Sequence, residues 1–101
     1  MTIRSEYLDQ NSLVLFLSGR LDTASSLAFE AKINELVDST LDVTLDLKDL
    51  TYISSSGLHA LLQVQKKLAA NEHKLTARNA SGLVKDVFIM TGFSTIVTME
   101  E

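Results

Sequence analysis

The feature that most restricts the fold is an alternation of short apolar segments with longer segments of helical periodicity. The clearest pair is LDVTLDL, residues 41–47, followed after a short polar stretch by SGLHALLQVQKKLAA, residues 56–70. The first segment alternates apolar and polar residues, as a strand does, and the second carries its leucines on one helical stripe. Strands separated by a helix pair in parallel through right-handed crossovers, so this pattern predicts an α/β sheet.

The same pattern continues along the chain and defines the other elements. Segments 2–8 and 12–18 flank the turn signal DQN and are expected to form a hairpin. Asp22 or Thr23 is expected to cap the first helix, and Gly92 to end the last one. The predicted strands are 2–8, 12–18, 41–47, 74–79 and 94–99, and the predicted helices are 23–38, 56–70 and 81–92.

These elements give the order β-β-α-β-α-β-α-β in one α/β domain spanning residues 1–101. The first two strands are antiparallel and the remaining ones parallel, so the sheet is mixed. The alternation within residues 41–47 suits a sheet with one wetter side, because strands covered on both faces are usually continuous apolar runs. The helices are therefore expected mainly on one face.

Composition and charge exclude several classes of function. The 101 residues carry a net charge of −4 and no cysteine, so no disulfide, catalytic thiolate or cysteine metal site is available. The Lys and Arg residues are scattered, whereas a nucleic-acid partner requires a basic footprint. No apolar run has bilayer length and no signal-peptide core is visible. We expect a cytoplasmic protein with a protein partner, without a membrane partner, metal or cofactor.

A cluster of three serines, Ser54, Ser55 and Ser56, lies between a predicted interior strand and the following helix. The carboxyl ends of strands in α/β sheets are the usual place for binding sites. One serine is enough to cap the helix. A surplus hydroxyl lies beside free backbone N–H groups and the positive end of the helix dipole, where a phosphate of about −1.5 to −2 charge is accommodated. The cluster therefore indicates capping, phosphorylation or both.

Catalytic interpretations of the cluster are weaker. Ser55 and His59 are four residues apart and could share a helix face, but the GxSxG elbow is absent and no acid is placed to orient His59. A P-loop is excluded because its glycines and lysine are missing. The sequence therefore favours a regulator over an enzyme, with His59 as an exposed or interface side chain.

Other polar and small residues near the cluster allow two interpretations each. Gly57 either permits close backbone approach or is a small residue in the first helical turn. Asp22 either caps the first helix or contacts a partner, and it could do both. Asp46 and Asp49 are expected to be solvated carboxylates at a strand end, since no metal-binding spacing is visible.

The stretch DLKDLTYISSSGLHALL, residues 46–62, resembles the bacterial anti-sigma-factor antagonists of the STAS family. The flanks agree, since LSGRLDTASS resembles the family segment before the first helix and FIMTGFSTIV resembles its late helix, turn and final strand. The resemblance implies the same β/α order as the periodicity. The positions that match the family motif are Asp49, Leu50, Ile53, Ser55, Ser56, Gly57 and Leu58.

The resemblance also implies a mechanism known as partner switching. Family members bind an anti-sigma factor that is itself a serine kinase, are released when it phosphorylates them, and are reset by a protein serine phosphatase. The phosphorylated position corresponds to Ser55, with Ser54 and Ser56 less favoured. Ser54 replaces the family aspartate, a change that could alter kinase recognition, shift phosphorylation to a neighbouring hydroxyl, or mark a relative that binds partners without this regulation. The expected partner-binding residues are Asp22, Thr23, Ser54, Ser56, Gly57 and His59.

Two other functions remain open at this point. A STAS-like domain can serve as a scaffold in a larger signalling complex, or it can control secretion through a related switch kinase. It can also bind a small ligand at the strand ends, as a regulatory module not controlled by phosphorylation.

Overall fold

A computed structural model describes residues 1–37 and 40–100 and shows the predicted order of elements. A single turn of 3-10 helix, Phe93–Thr95, precedes the last strand. The strands are β1 Thr2–Asp9, β2 Ser12–Leu21, β3 Asp42–Ile53, β4 Leu75–Arg78 and β5 Thr98–Glu100, and the helices are α1 Thr23–Leu36, α2 Ser55–Ala69 and α3 Gly82–Met90.

The five strands form one mixed sheet in which each strand lies beside its neighbour in sequence. β1 and β2 are antiparallel, and the pairs β2–β3, β3–β4 and β4–β5 are parallel. The register places Leu15, Leu45 and Ala77 side by side across three strands. All three are fully buried, in one cluster with residues of all three helices such as Ile33, Leu61 and Phe88. The predicted α/β fold, with its helices mainly on one face, is confirmed.

The opposite face of the sheet carries a row of polar and aromatic side chains. Phe16 pairs with Asp46, and Asp46 pairs with Arg78. The Arg4 guanidinium stacks 4.1 Å from the centre of the Phe16 ring. Arg78 Nε and Asp46 Oδ2 are 3.0 Å apart, and Asn79 Nδ2 donates to the same oxygen at 3.2 Å. This is the wetter face that the alternating pattern predicted.

The expectation that Asp46 is a solvated carboxylate was wrong. The residue is only 8% exposed. Burial alone raises its pKa, but the hydrogen bonds from the Lys48 backbone N–H, Arg78 and Asn79 outweigh burial and hold the pKa below its ordinary value. The local pattern carries no sign of this, because Arg78 and Asn79 reach Asp46 only through the pairing of β3 with β4. Asp49 is exposed, as expected.

Strand boundaries differ from the predictions most strongly in β3 and β5. β3 continues to Ile53 because Gly19 and Leu21 at the end of β2 pair with Leu50 and Ile53, despite the charges between. The strand predicted at 94–99 begins only at Thr98. The preceding segment forms the 3-10 turn instead, because Phe93 is buried edge-on against Phe88, with ring centres 4.9 Å apart.

The ends of the predicted helices also shift slightly. α3 ends at Met90, and Gly92 follows with a φ of 79°, a left-handed conformation that favours glycine. α1 ends at Leu36 with Val37 as its C-cap, and the predicted end at residue 38 lies outside the described residues.

Helix α2 begins directly against the end of β2, and Gly57 is the point of closest contact. A Cβ atom on Gly57 would lie 2.6 Å from Leu21 Cγ and 3.1 Å from the Leu21 carbonyl oxygen. Both distances are shorter than ordinary contacts, so no larger residue fits without movement. Packing against Leu21 therefore requires a small residue at this position of the first helical turn, and a role of Gly57 in partner binding stays a prediction.

Replacing Gly57 by alanine should lower the free energy of unfolding by about 1–3 kcal/mol, because the added methyl group overpacks against Leu21. The matched control is Gly82→Ala, also in the first turn of a helix, where a Cβ meets nothing within 4 Å. That variant should change stability by less than about 1 kcal/mol, in the stabilising direction. Denaturant unfolding of both variants would contradict the packing argument if they were equally stable.

Replacing Asp46 by asparagine should lower the free energy of unfolding near neutral pH by about 1.5–3 kcal/mol, the range for hydrogen bonds to charged groups. The folded pKa lies below the ordinary value of 3.8, so the carboxylate stabilises the fold above that value and ceases to do so as the pH falls through the folded pKa. The difference from wild type should therefore shrink in acid. Asp49→Asn, at an exposed position, is the control, and an equal effect of both variants would refute this role of Asp46.

Candidate functional site

The site is built around the junction of β3 and α2, where Ser54 is the N-cap of the helix. Its hydroxyl accepts the Gly57 backbone N–H at 3.1 Å, and its carbonyl accepts the Leu58 N–H at 2.9 Å. Its own N–H donates to the Leu21 carbonyl at 2.8 Å. Ser54 is only 9% exposed, and these three hydrogen bonds fix its backbone and side chain within the domain.

The other two serines are placed differently. Ser56 is half-buried, with its hydroxyl 3.0 Å from that of Ser54. Ser55 is exposed, and its hydroxyl forms no hydrogen bond within residues 1–37 and 40–100. Ser55 is the first residue of α2, and no acidic residue lies in that first turn. Its hydroxyl is thus accessible at the positive end of a helix of 15 residues.

Asp22 and Thr23 lie next to this junction because Leu21, at the end of β2, contacts both Ser54 and Gly57. Asp22, one of the two residues predicted to cap α1, is its N-cap. The Asp22 carboxylate accepts the Ser25 N–H at 3.0 Å, and the Ser25 hydroxyl accepts the Asp22 N–H at 3.0 Å. The Ser25 backbone hydrogen bond is the main cause of a lowered pKa of Asp22, helped by the Ser25 hydroxyl and Arg20. Thr23 is exposed.

His59 is exposed on the second turn of α2. Its Nε2 atom lies 3.3 Å from Gln63 Nε2, and no hydrogen bond joins it to Ser55 or to an acid within the described residues. The arrangement lacks the contacts that activate a serine nucleophile. His59 instead lies beside Ser55 on the rim of a groove.

This groove, of about 390 Å³, runs between α2 and the turn after α3. Leu58 and Leu62 line it from α2, opposite Phe93 and Ile96, while Ser55 and His59 contribute polar groups. Ile96 is 46% exposed, and Met90 at the end of α3 is 82% exposed. The site therefore combines an accessible serine with an open apolar surface beside it.

The expected site residues are thus brought together at the carboxyl ends of β2 and β3, and three contributors were missed. Ile96 was assigned to the last strand, and Phe93, in the turn directly after Gly92, was not singled out as a site residue. Arg20 was not singled out. Its guanidinium lies 4.4 Å from the centre of the Tyr52 ring, and its Nε is 3.9 Å from Asp22 Oδ2.

The described part of the chain offers neither a metal-binding cluster nor a membrane-spanning helix. Among residues 1–37 and 40–100, no group of three or more His, Cys, Asp or Glu side chains is arranged to hold a metal ion. No helix within those ranges has the length and apolar character to cross a membrane. The surface around Ser55 is thus the main candidate.

Comparison with known proteins gives consistent results. The model of the STAS domain family matches residues 5–101. BtrV of Bordetella bronchiseptica, a candidate anti-sigma factor antagonist, is 35% identical over 85 residues, covering 83% of this chain and 73% of that protein. The anti-sigma-B factor antagonist of Bacillus subtilis is 25% identical over 89 residues, covering 88% and 82% respectively.

The fold is shared with the anti-sigma factor antagonist SpoIIAA. Its unphosphorylated form superposes with a TM-score of 0.82 at 22% identity, covering 99% of this chain and 89% of SpoIIAA. The phosphorylated form from Bacillus gives a TM-score of 0.75 at 20% identity, with coverage of 99% and 92%. Since the family match extends through every element that forms the site, this protein belongs to the STAS domain family.

Proposed function

We propose that this protein is an anti-sigma-factor antagonist that acts by partner switching. In its unmodified form it binds an anti-sigma factor that is also a serine kinase, and phosphorylation of Ser55 releases it. The names of the BtrV and Bacillus subtilis relatives support the first part of this proposal. STAS anti-sigma antagonists are regulators without catalytic activity, in agreement with the prediction that the chain is not an enzyme.

The observation that carries the proposal is that Ser54 is the buried cap of α2 whereas Ser55 is exposed. Ser54 supplies the cap of α2, so the Ser55 hydroxyl is not needed for that role, and it forms no hydrogen bond among the described residues. A phosphate on Ser55 would remain exposed at the positive end of the helix dipole. The domain can therefore stay folded when Ser55 is phosphorylated, whereas the binding of a partner to this surface is weakened.

The same geometry supports the choice of Ser55 over Ser54 and Ser56 as the phosphorylated residue. A kinase reaching the Ser54 hydroxyl would have to break its bond to the Gly57 N–H and expose a buried side chain. The Ser56 hydroxyl is half-buried against that of Ser54. Serine at position 54, in place of the family aspartate, keeps the capping function because both residue types cap helices well.

The partner surface in this proposal extends from Asp22 and Thr23 across Ser55 and His59 into the groove. Leu58, Leu62, Phe93 and Ile96 offer apolar area for a side chain of the anti-sigma factor. Because Ser55 lies on the rim of that area, a phosphate would place about two negative charges where the partner excludes water. A loss of only ~2.8 kcal/mol weakens binding a hundredfold.

The phosphatase and the cytoplasmic location in this proposal are inferred from the STAS anti-sigma antagonists. The reverse step requires a protein serine phosphatase, and all components would act in the cytoplasm. SpoIIAA, whose fold this chain shares, has been observed in both unphosphorylated and phosphorylated forms. That precedent supports reversible modification of a domain with this architecture.

A small-ligand regulatory module is the second candidate, and the groove is the observation in its favour. Its volume of about 390 Å³ falls within the range of ligand pockets, roughly 300–1,000 Å³. A metabolite that raised the melting temperature of wild type but not of Leu62→Glu would support it. Under the main proposal the groove binds a side chain of the anti-sigma factor instead.

Incubation with the cognate kinase and ATP should raise the intact mass by one phosphate, and Ser55→Ala should abolish this rise because it removes the accessible hydroxyl. Ser56→Ala is the matched control and should be phosphorylated like wild type. Persistence of the added mass in Ser55→Ala would contradict the assignment. Ser55→Glu should bind the anti-sigma factor at least tenfold more weakly, as measured by calorimetry.

Ile96→Glu should weaken binding of the anti-sigma factor by tenfold or more, because it buries a charge at the centre of the docking surface. Its melting temperature should stay close to that of wild type, since Ile96 is 46% exposed. Leu8→Glu, at an exposed position at the opposite end of the sheet, is the control and should bind normally. Equal affinity of both variants would exclude the groove from the interface.

A further inference from the structure

Strand β1 is one edge of the sheet, and one of its sides is open. Within the described residues it pairs only with β2, and nearly all of its side chains are exposed. An exposed edge of eight residues presents unsatisfied backbone N–H and C=O groups, which are a template for pairing with another strand. The sequence of the edge determines which strand it accepts.

The sequence of β1 is complementary to itself. In an antiparallel pair of two β1 strands related by a two-fold axis at Ser5, Arg4 of each copy faces Glu6 of the other. Ile3 of each copy likewise faces Tyr7 of the other. Opposite charges and aromatic–aliphatic pairs at facing positions both stabilise an antiparallel ladder. Because the axis repeats every contact, the central five residues gain two charged and two apolar pairs.

The charged side chains are already held in a suitable place. Arg4 and Glu6 project from the same side of the sheet, with Arg4 Nη1 3.5 Å from Glu6 Oε2. The guanidinium is fixed above the Phe16 ring, at 4.1 Å from its centre. Both side chains remain more than half exposed, at 68% and 59%. A second copy would join two such pairs into one network of four alternating charges.

The other side of β1 offers an apolar complement. Ile3 packs against the core, whereas Tyr7 is 64% exposed. Ile3 also borders a hollow of about 360 Å³ between β1 and α1, which Ala28 and Phe29 line as well. In the antiparallel pair, Tyr7 of the second copy lies opposite Ile3, at the mouth of this hollow. An exposed aromatic ring thereby gains an apolar surface.

Charge also selects this register over its neighbours. A shift of the pairing by one residue would move every side chain to the opposite face of the sheet, so the nearest alternative registers are shifted by two residues. A two-fold axis at Arg4 would place arginine against arginine, and one at Glu6 would place glutamate against glutamate. A parallel arrangement in register would do both. Like charges directly opposite one another are destabilising, so among these arrangements only the register centred on Ser5 is favourable.

We propose that this protein forms a homodimer through antiparallel pairing of β1 with β1 of a second copy, which joins two five-stranded sheets into one. A single pair of short strands buries less surface than a stable interface of about 1,200–2,000 Å², so association depends on concentration. Ser55 follows β3, two strands away from this edge, and stays accessible in both copies. The dimer therefore presents two sites of the kind proposed above, although its existence does not depend on that function.

A charge-reversal cycle tests the dimer and its register. Sedimentation equilibrium of the wild-type chain over a rising concentration series should show a monomer–dimer equilibrium. Arg4→Glu alone and Glu6→Arg alone should each weaken self-association by roughly tenfold or more, because each places like charges opposite one another. An equimolar mixture of the two should recover near wild-type association, since the two acidic side chains of one variant then face the two basic side chains of the other.

The mixture also separates interface effects from folding effects, since a misfolded variant would not be rescued by another variant. A wild-type chain that stays monomeric through the series would overturn the proposal. So would self-association of either single variant at wild-type strength, whether through another surface or another register.

Cysteine cross-linking gives an independent measurement, because the natural chain contains no cysteine. Facing residues of an antiparallel pair have Cβ atoms about 4.5–5.5 Å apart, close to disulfide distance. Ser5→Cys lies on the axis and should form a covalent dimer under mild oxidation. Leu8→Cys, exposed on the same strand but far from its own copy in this register, should cross-link at least tenfold more slowly. Equal rates, or no cross-link at Ser5→Cys, would refute the assigned axis.

Discussion

The contact between the end of β2 and the start of α2 is the constraint on which the rest of this structure depends. The Ser54 N–H donates to the Leu21 carbonyl, and Gly57 lies so close to Leu21 that a methyl group does not fit. This contact determines where α2 begins and therefore which serine caps the helix. It also brings the N-cap of α1, Asp22, next to the serine cluster. Two helix starts and two strand ends thus form one continuous surface.

Most of the fold could be predicted from sequence because its information is local. The spacing of leucines in α2, the turn signal after β1 and the N-cap at Asp22 each depend on a few neighbouring residues. Strand–helix alternation with right-handed crossovers then leaves few topologies for the sheet. What could not be predicted depends on pairing between distant segments. The burial of Asp46 requires Arg78, and the length of β3 requires Gly19 and Leu21.

In the candidate site, too, local features could be predicted from sequence and contacts between distant segments could not. The serine cluster was visible because three serines exceed the needs of one helix cap, but the sequence did not show which of them is the cap. That assignment comes from the Ser54–Gly57 hydrogen bond and from the burial of Ser54. The groove beside Ser55 could not be anticipated, since a buried Phe93 converts what resembled a strand into a turn. A hydrophobic pattern alone does not separate these two outcomes.

The order of the strands has a consequence for how the chain is made. Each strand of this sheet after β1 pairs with the strand synthesised just before it. No later segment has to be inserted between two strands that are already joined. A chain emerging from the ribosome can therefore extend its sheet at a single growing edge, with each crossover helix covering the strands as they arrive. The early strands can pair before the carboxyl terminus has been synthesised. Apolar strands therefore spend less time exposed to solvent during translation.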